Sequence, residues 1–423
     1  MRTMLTGMLA LVVTTILVEV ARRLAPAIGL VDSPTDRKSH NGDVPLVGGI
    51  AIFGGLLVML GPQGIIAEHW QFFAAASLLV AVGIWDDAAG IPPIARITCQ
   101  AGAVLFVAIP GNAYLVDLGT ILPALGTIKL GWFAIPFTVF AGVGIINAFN
   151  LSDGVDGLCG TFTLVALIGL GILAALAGKQ SELLLILALS GGLIGFLIFN
   201  IRFPGRKQAK AFLGDAGSYL LGLSVLYVSV RLCQGSDRAM PPVTALWFCM
   251  IPLLDTVGMI FRRVSRGISP FTADREHIHH IFLLAKFSVT ATWLGLVGVA
   301  AAGMLFGLFA TLNGFSESLI LAMFLSASVI YIFTINRTWQ KLSFLSRSIN
   351  RRSETKVDRR IIIDRRKRDQ GFTINGIRVE RRSGADRRQG HRRIVANQID
   401  RESIVIKTNT RSTEASDKPA ARL

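Results

Sequence analysis

Five short runs of this sequence hold residue types that phosphate and cation chemistry require. Asn147-Ala148-Phe149-Asn150-Leu151-Ser152-Asp153-Gly154-Val155-Asp156-Gly157 sets two amides and two carboxylates among glycines that let a ligand approach the backbone closely. Asp86-Asp87 is a carboxylate pair suited to binding a divalent metal or to taking a proton from a phosphate. Phe212-Leu213-Gly214-Asp215-Ala216-Gly217-Ser218 puts an aromatic face and a carboxylate just before an apolar helix, whose N-terminus favours phosphate. Asp274-Arg275-Glu276-His277-Ile278-His279-His280 gathers three of the six histidines beside an arginine; with carboxylates and no cysteine nearby, contacts to anions are expected ahead of zinc ligation. Arg37-Lys38-Ser39-His40, followed by Pro45 and Gly48-Gly49, is the fifth run. Taken singly, such runs also suit helix caps and hydrophilic helix ends.

The elements that must position these runs are membrane helices. With 52% hydrophobic and 17% charged residues over 423 positions, the chain is too apolar for a soluble domain of that length. The expected fold is an all-α polytopic membrane protein with about eleven transmembrane helices and a cytoplasm-facing active site. The spans are placed at Met4–Val20, Leu46–Leu60, Trp70–Ile84, Ile97–Ile109, Trp132–Ile146, Thr161–Ala177, Leu183–Ile201, Tyr219–Val230, Val243–Phe261, Thr290–Leu312 and Leu319–Thr334. The first reads as a retained helix, because it lacks a small-residue cleavage site. Alternating the loops puts 14 Lys and Arg on one face and 5 on the other, which makes the first face cytoplasmic. All five runs fall on it. A transporter would instead hold its charges near the midplane within an internal repeat, which the sequence lacks, so an enzyme site is the preferred reading. Asp255 lies within the ninth span, about 9 Å from its cytoplasmic end at 1.5 Å rise per residue, where it either reaches the site or bonds to a neighbouring helix. Cys99, Cys159, Cys233 and Cys249 have no metal or redox spacing and are read as buried bystanders.

The net charge of +16 resides almost wholly in the C-terminal tail. From Arg337 onward 24 Lys and Arg face 10 Asp and Glu, which leaves +2 for the rest. Two regions follow: a transmembrane domain over 1–336 and a basic, mostly disordered cytoplasmic tail over 337–423. The tail repeats an acidic residue followed by two arginines, at Asp358, Asp364, Glu380 and Asp386. Tethered beside a bilayer, it is expected to bind anionic headgroups ahead of RNA or a docking partner.

In their order and placement, the runs Asn147/Asn150/Asp153/Asp156, Phe212-Leu213-Gly214-Asp215 and His277-Ile278-His279-His280 resemble the polyprenyl-phosphate N-acetylhexosamine-1-phosphate transferase family (MraY/WecA-like) over about Asp32 to Lys286. The Lys38/His40 loop, the His-Ile-His-His form and the eleventh span are similar to its WecA branch. The resemblance implies transfer of N-acetylhexosamine-1-phosphate, GlcNAc-1-phosphate being favoured, from a UDP-sugar to undecaprenyl phosphate, with release of UMP. That step would start an O-antigen or related surface glycan in the bacterial inner membrane. Phospho-MurNAc-pentapeptide transfer in peptidoglycan synthesis is the alternative within the family, and a lipid or sugar transporter the alternative outside it. The cofactor implied is Mg²⁺, with Mn²⁺ as the substitute. Asp215 is then the metal ligand, and Asp86 and Asp87 are catalytic, positioning or deprotonating the lipid phosphate. The implied substrate contacts are Lys38, His40, Asn147, Asn150, Asp153, Asp156, Asn200, Phe212, Arg275, His277, His279 and His280, with Phe212 stacking on uracil. Partners are the UDP-N-acetylhexosamine, undecaprenyl phosphate and membrane lipids; nucleic acid is not expected, and a homodimer is compatible. Gly90 stands where the family often carries a third aspartate.

Overall fold

The computed structural model describes residues 2–33, 42–202, 205–206, 208–269 and 277–340. Lys38, His40 and Arg275, and the basic tail after 340, lie outside the described residues. The helices are α1 (Arg2–Leu24), α2 (Gly48–Leu60), the single-turn α3 (Ile65–Glu68), α4 (Trp70–Ala89), α5 (Pro93–Ala108), α6 (Ala134–Leu151), α7 (Leu158–Leu176), α8 (Gln180–Asn200), α9 (Gly214–Cys233), α10 (Pro242–Phe248), α11 (Met250–Ser265), α12 (Ile278–Leu284) and α13 (Val289–Leu312). A last helix, α14, spans Glu317–Gln340. Among the described residues eight helices are long and apolar enough to cross a membrane, and α10 with α11, bent by 84° at their junction, make a ninth if they are one span. The chain is a multi-pass membrane protein.

Every one of the eleven expected segments is helical, but among the described residues eight or nine, not eleven, are long enough for full crossings. Helices α2 and α5 have 13 and 16 residues. At 1.5 Å per residue they reach about 20 and 24 Å, short of a hydrocarbon core about 30 Å thick. The ninth segment is broken where Cys249 leaves helical geometry between α10 and α11.

Helix α9 forms the centre of the bundle. It is buried along almost its whole length, whereas α14 is mostly exposed along its apolar sides. Small residues let its first turn sit against backbone on two sides. A Cβ on Gly49 of α2 would stand 2.2 Å from the Gly217 nitrogen, and one on Gly83 of α4 would stand 2.3 Å from that of Ala216. No side chain fits at either contact. At the other end of α9 a polar clamp takes over: the fully buried His69 ring shares hydrogen bonds of 2.7 Å with the Tyr227 and Ser181 hydroxyls, and Arg231 pairs with Glu182 at 2.7 Å.

A small antiparallel pair, β1 (Val31–Asp32) and β2 (Val44–Pro45), precedes α2. It extends to the segment before α9: Phe212 N–H donates to the Pro45 carbonyl at 2.8 Å, and Gly48 and Gly49 N–H donate to the Phe212 and Leu213 carbonyls at 3.0 Å. These bonds fix the approach of the chain to Asp215.

Candidate active site

Asp86 and Asp87 lie in the last turn of α4, which stops at Gly90 with φ +67° before Pro92 and Pro93 restart the chain as α5. The positive φ of Gly90 lets the helix end there. Asp86 turns inward. Its oxygens accept from Tyr219 Oη at 2.9 Å and the Ile91 N–H at 3.0 Å, and one of them pairs with Arg96 Nε at 2.9 Å. Asp87 reaches across to the N-terminus of α9, accepting from the Asp215 N–H at 2.9 Å and the Ala216 N–H at 3.4 Å. These amides have no partner within their own helix, so a carboxylate there gains both hydrogen bonds and the favourable end of the helix dipole. Gly214 makes the approach feasible: it has φ +74°, and a Cβ there would meet Asp87 Oδ2 at 2.5 Å.

Asp215 accepts at Oδ1 from the Asn150 amide at 2.6 Å, and the same amide donates to Ser218 Oγ at 2.9 Å. Asn150 thereby ties the end of α6 to α9. The turn after α6 carries Asp153 and Asp156 and ends at Gly157, whose φ of +81° lets α7 begin. Gly157 N–H donates to Asn200 Oδ1 at 2.7 Å, and Asn200 Nδ2 donates to the Ala211 carbonyl at 2.9 Å. Asn200 is thus a brace between the turn and the Phe212 segment. Asp156 pairs with Arg202 at 2.6 Å. Burial first, then the charges of Asp215, Asp156 and Asp87, push the Asp153 carboxyl well above the usual carboxylate range.

These groups open onto a cavity of about 1060 Å³, large even for a cofactor-sized ligand. Of the residues expected from sequence, Asp86, Asp87, Asn150, Asp153, Asp156, Asn200, Phe212, Asp215 and His280 line it. Asn147 is not among the lining residues; its amide donates to Gln100 at 2.6 Å and to the Val143 carbonyl at 2.8 Å, one helical turn back. His277 and His279 are also set back from the wall. His277 bonds to Asp255 at 2.9 Å, and His279 packs against the turn at Gly154. Burial, helped by His280 and His277, pushes the His279 imidazole down to about 3, so it is neutral. Asp32, Arg202 and Trp339 line the cavity without having been singled out. Arg96 and Tyr219, which hold Asp86, carry no local signal of that role: Arg96 follows the Pro92-Pro93 break and Tyr219 follows the Phe212–Ser218 run, and only the crossing of α4, α5 and α9 reveals their partner.

Among the described residues no three His, Cys, Asp or Glu side chains converge as a finished metal cage. The donors nonetheless suit Mg²⁺, which takes oxygen ligands, keeps waters and is held by one or two carboxylates plus substrate phosphates. Asp215 and Asp153 could serve as such donors, and a cation between them would offset the neighbouring negative charges that, after burial, raise the Asp153 carboxyl.

Residues 69–233, which hold most of this constellation, match the model of glycosyl transferase family 4. The chain is 36% identical over 336 residues to an undecaprenyl-phosphate alpha-N-acetylglucosaminyl 1-phosphate transferase of Escherichia coli O157:H7, covering 79% of this chain and 91% of that one. It is 37% identical to the protein of that name in Yersinia pestis, over 78% and 90% of the two chains. With the protein of that name in Haemophilus influenzae the figures are 34% identity, 80% and 95%. A carboxylate-lined cavity at the ends of membrane helices, together with this coverage, places the chain in glycosyl transferase family 4, as a member of the polyprenyl-phosphate N-acetylhexosamine-1-phosphate transferases that its motifs resemble.

Proposed function

We propose that this enzyme transfers GlcNAc-1-phosphate from UDP-GlcNAc to undecaprenyl phosphate and releases UMP. The observation that carries the reading is the Asp87, Asn150, Asp153 and Asp215 group at the N-terminus of α9, bordering a cavity large enough for a nucleotide sugar. The activity named for the relatives supports the choice of sugar and lipid. The product would begin an O-antigen or related surface glycan. The positive-inside bias supports a bacterial inner membrane protein with the site and the tail on the cytoplasmic side.

In the reaction a phosphate oxygen of the lipid attacks the β-phosphorus of the donor. One P–O bond forms, the bond to the bridging oxygen breaks, and UMP leaves with the electron pair. Asp87 is the residue to receive the proton of the lipid phosphate: the Asp215 and Ala216 N–H groups donate to it, so it stays an acceptor facing the cavity. Asp86, engaged by Tyr219, Ile91 and Arg96, positions the end of α4 instead. Asp215 and Asp153 would hold Mg²⁺, which when bound neutralises the phosphates that must come together. Asn150 keeps Asp215 aimed, Phe212 offers its ring to uracil, and His280 faces the phosphates or sugar. Positioning and charge neutralisation suffice for phosphoryl transfer, so direct displacement is the simpler course.

The test is UMP release by purified protein in undecaprenyl-phosphate micelles with Mg²⁺, over a panel of UDP-sugars that includes UDP-MurNAc-pentapeptide. UDP-GlcNAc should be the best donor, and Asp215→Ala should lower turnover at least about 100-fold. Preference for the pentapeptide donor, or lipid movement across vesicles without nucleotide cleavage, would overturn the reading.

A further inference from the structure

Asp255 is a carboxylate inside the bent α10–α11 segment, and no step above uses it. It is 4% exposed and does not line the cavity. A carboxylate in such a place is retained against a considerable desolvation cost unless its partners are well arranged. Three donors meet it: His277 Nδ1 at 2.9 Å, the Ile278 N–H at 3.0 Å and Tyr331 Oη of α14 at 3.2 Å. Asp255 therefore holds the start of α12 by one side chain and one backbone amide, while α14 steadies it from behind.

The contacts continue toward the site. The His277 and His279 rings lie parallel, 2° apart in tilt, with centroids 5.6 Å apart. His279 is 2% exposed and abuts the turn of the acidic motif so closely that a Cβ on Gly154 would stand 2.3 Å from its Nε2. Gly154 directly follows Asp153. His280, next in sequence, faces the cavity. His277 and His279 thus connect a carboxylate in the membrane-spanning region to the turn bearing Asp153 and Asp156.

We infer that Asp255 is a positioning residue for the nucleotide-sugar side of the site, acting through His277 and His279 on the turn that carries Asp153 and Asp156. The inference rests on the transferase reading. Asp87 and the Asp86 group reach α9 from α4, on separate contacts, so the lipid-phosphate side does not depend on this chain of residues.

That asymmetry sets the experiment, which measures both KM values in the UMP-release assay. Asp255→Asn should raise the KM for UDP-GlcNAc about tenfold while leaving that for undecaprenyl phosphate unchanged. Gly154→Ala, which pushes on the same contact from the other end, should act in the same direction, and the double variant should lose less than the product of the two single losses. His277→Asn, whose amide can still donate to Asp255, should retain more donor affinity than His277→Ala. A folding defect alone lowers the active fraction and moves neither KM. Equal changes in both KM values, no change in either, or independent multiplication in the double variant overturns the inference. Absence of UMP release by the unaltered protein would instead overturn the transferase reading.

Discussion

Gly214→Ala tests how the acidic groups are held together. Gly214 has φ +74°, where an L side chain costs about 1–2 kcal/mol. The larger effect is local: the new Cβ would lie 2.5 Å from Asp87 Oδ2, whereas ordinary contact begins near 3.4 Å. Asp87 or the first turn of α9 must yield by about 1 Å, and α9 has backbone of α2 and α4 against it, so the carboxylate moves. Its hydrogen bond from Asp215 N–H lengthens, at a cost of about 1.5–3 kcal/mol for a charged acceptor. A 1 Å misplacement of a reacting group is worth about 100-fold in rate. The expected result in the UMP-release assay is therefore a fall in kcat of about 100-fold, with the protein still monodisperse in detergent. Gly90→Ala is the comparison, because Gly90 also has positive φ, +67°, but nothing lies within 4 Å of its Cβ position. It should lower the Tm by about 1–2 °C and leave kcat intact. Turnover by Gly214→Ala within about twofold of the unaltered enzyme would mean that Asp87 need not sit at the head of α9.

Arg96→Gln takes the cation from a carboxylate whose side chain is only 3% exposed, so stability should drop by about 1–3 kcal/mol, seen as a lower Tm in detergent; an unchanged Tm would show that Tyr219 and Ile91 suffice. Asp153 binds its proton more tightly when folded than when unfolded, so the folded state carries the extra proton above pH about 3.8 and stability falls as pH rises toward the raised value. Asp153→Asn should abolish that fall, and Mg²⁺ should raise the Tm of the unaltered protein more than that of the variant; a parallel pH dependence of both would refute the assignment. Truncation after Gln340 keeps Trp339 at the cavity and should preserve turnover while lowering salt-sensitive binding to phosphatidylserine vesicles, and a loss of turnover would give the tail a role in the reaction.

Much of this site is legible in the sequence because its chemistry is concentrated in local runs beside apolar helices. Asp87, Asn150, Asp153 and Asp215 announce themselves by being polar at span ends, and positive-inside bias puts them on one face. What local runs cannot convey is direction. Asn147 and Asn150 lie three positions apart in one motif, yet on α6 one amide turns to Gln100 of α5 and the other to Asp215 of α9. Asp86 and Asp87 are neighbours, but successive residues on a helix point about 100° apart, so one is enclosed by Tyr219 and Arg96 while the other reaches the head of α9. Hydropathy likewise finds every apolar helix but not its length relative to a bilayer, because it takes the packing of α2 and α5 to show where each one stops.

The backbone contacts around the first turn of α9 divide the protein into parts with different freedom to change. Asp215 grows from a helix that Gly49 and Gly83 allow no room to shift, and whose far end His69 and Arg231 fasten. Nothing at that position can be retuned by small adjustments, since any added carbon displaces main chain. The turn at Gly154, the brace at Asn200 and the short helix bearing His280 are held by side-chain contacts, which single substitutions can lengthen, shorten or redirect. New donor sugars should therefore be sought by varying residues around those three places while the glycines of α2, α4 and α9 are kept fixed, and libraries that spare the latter should retain far more active members than those that do not.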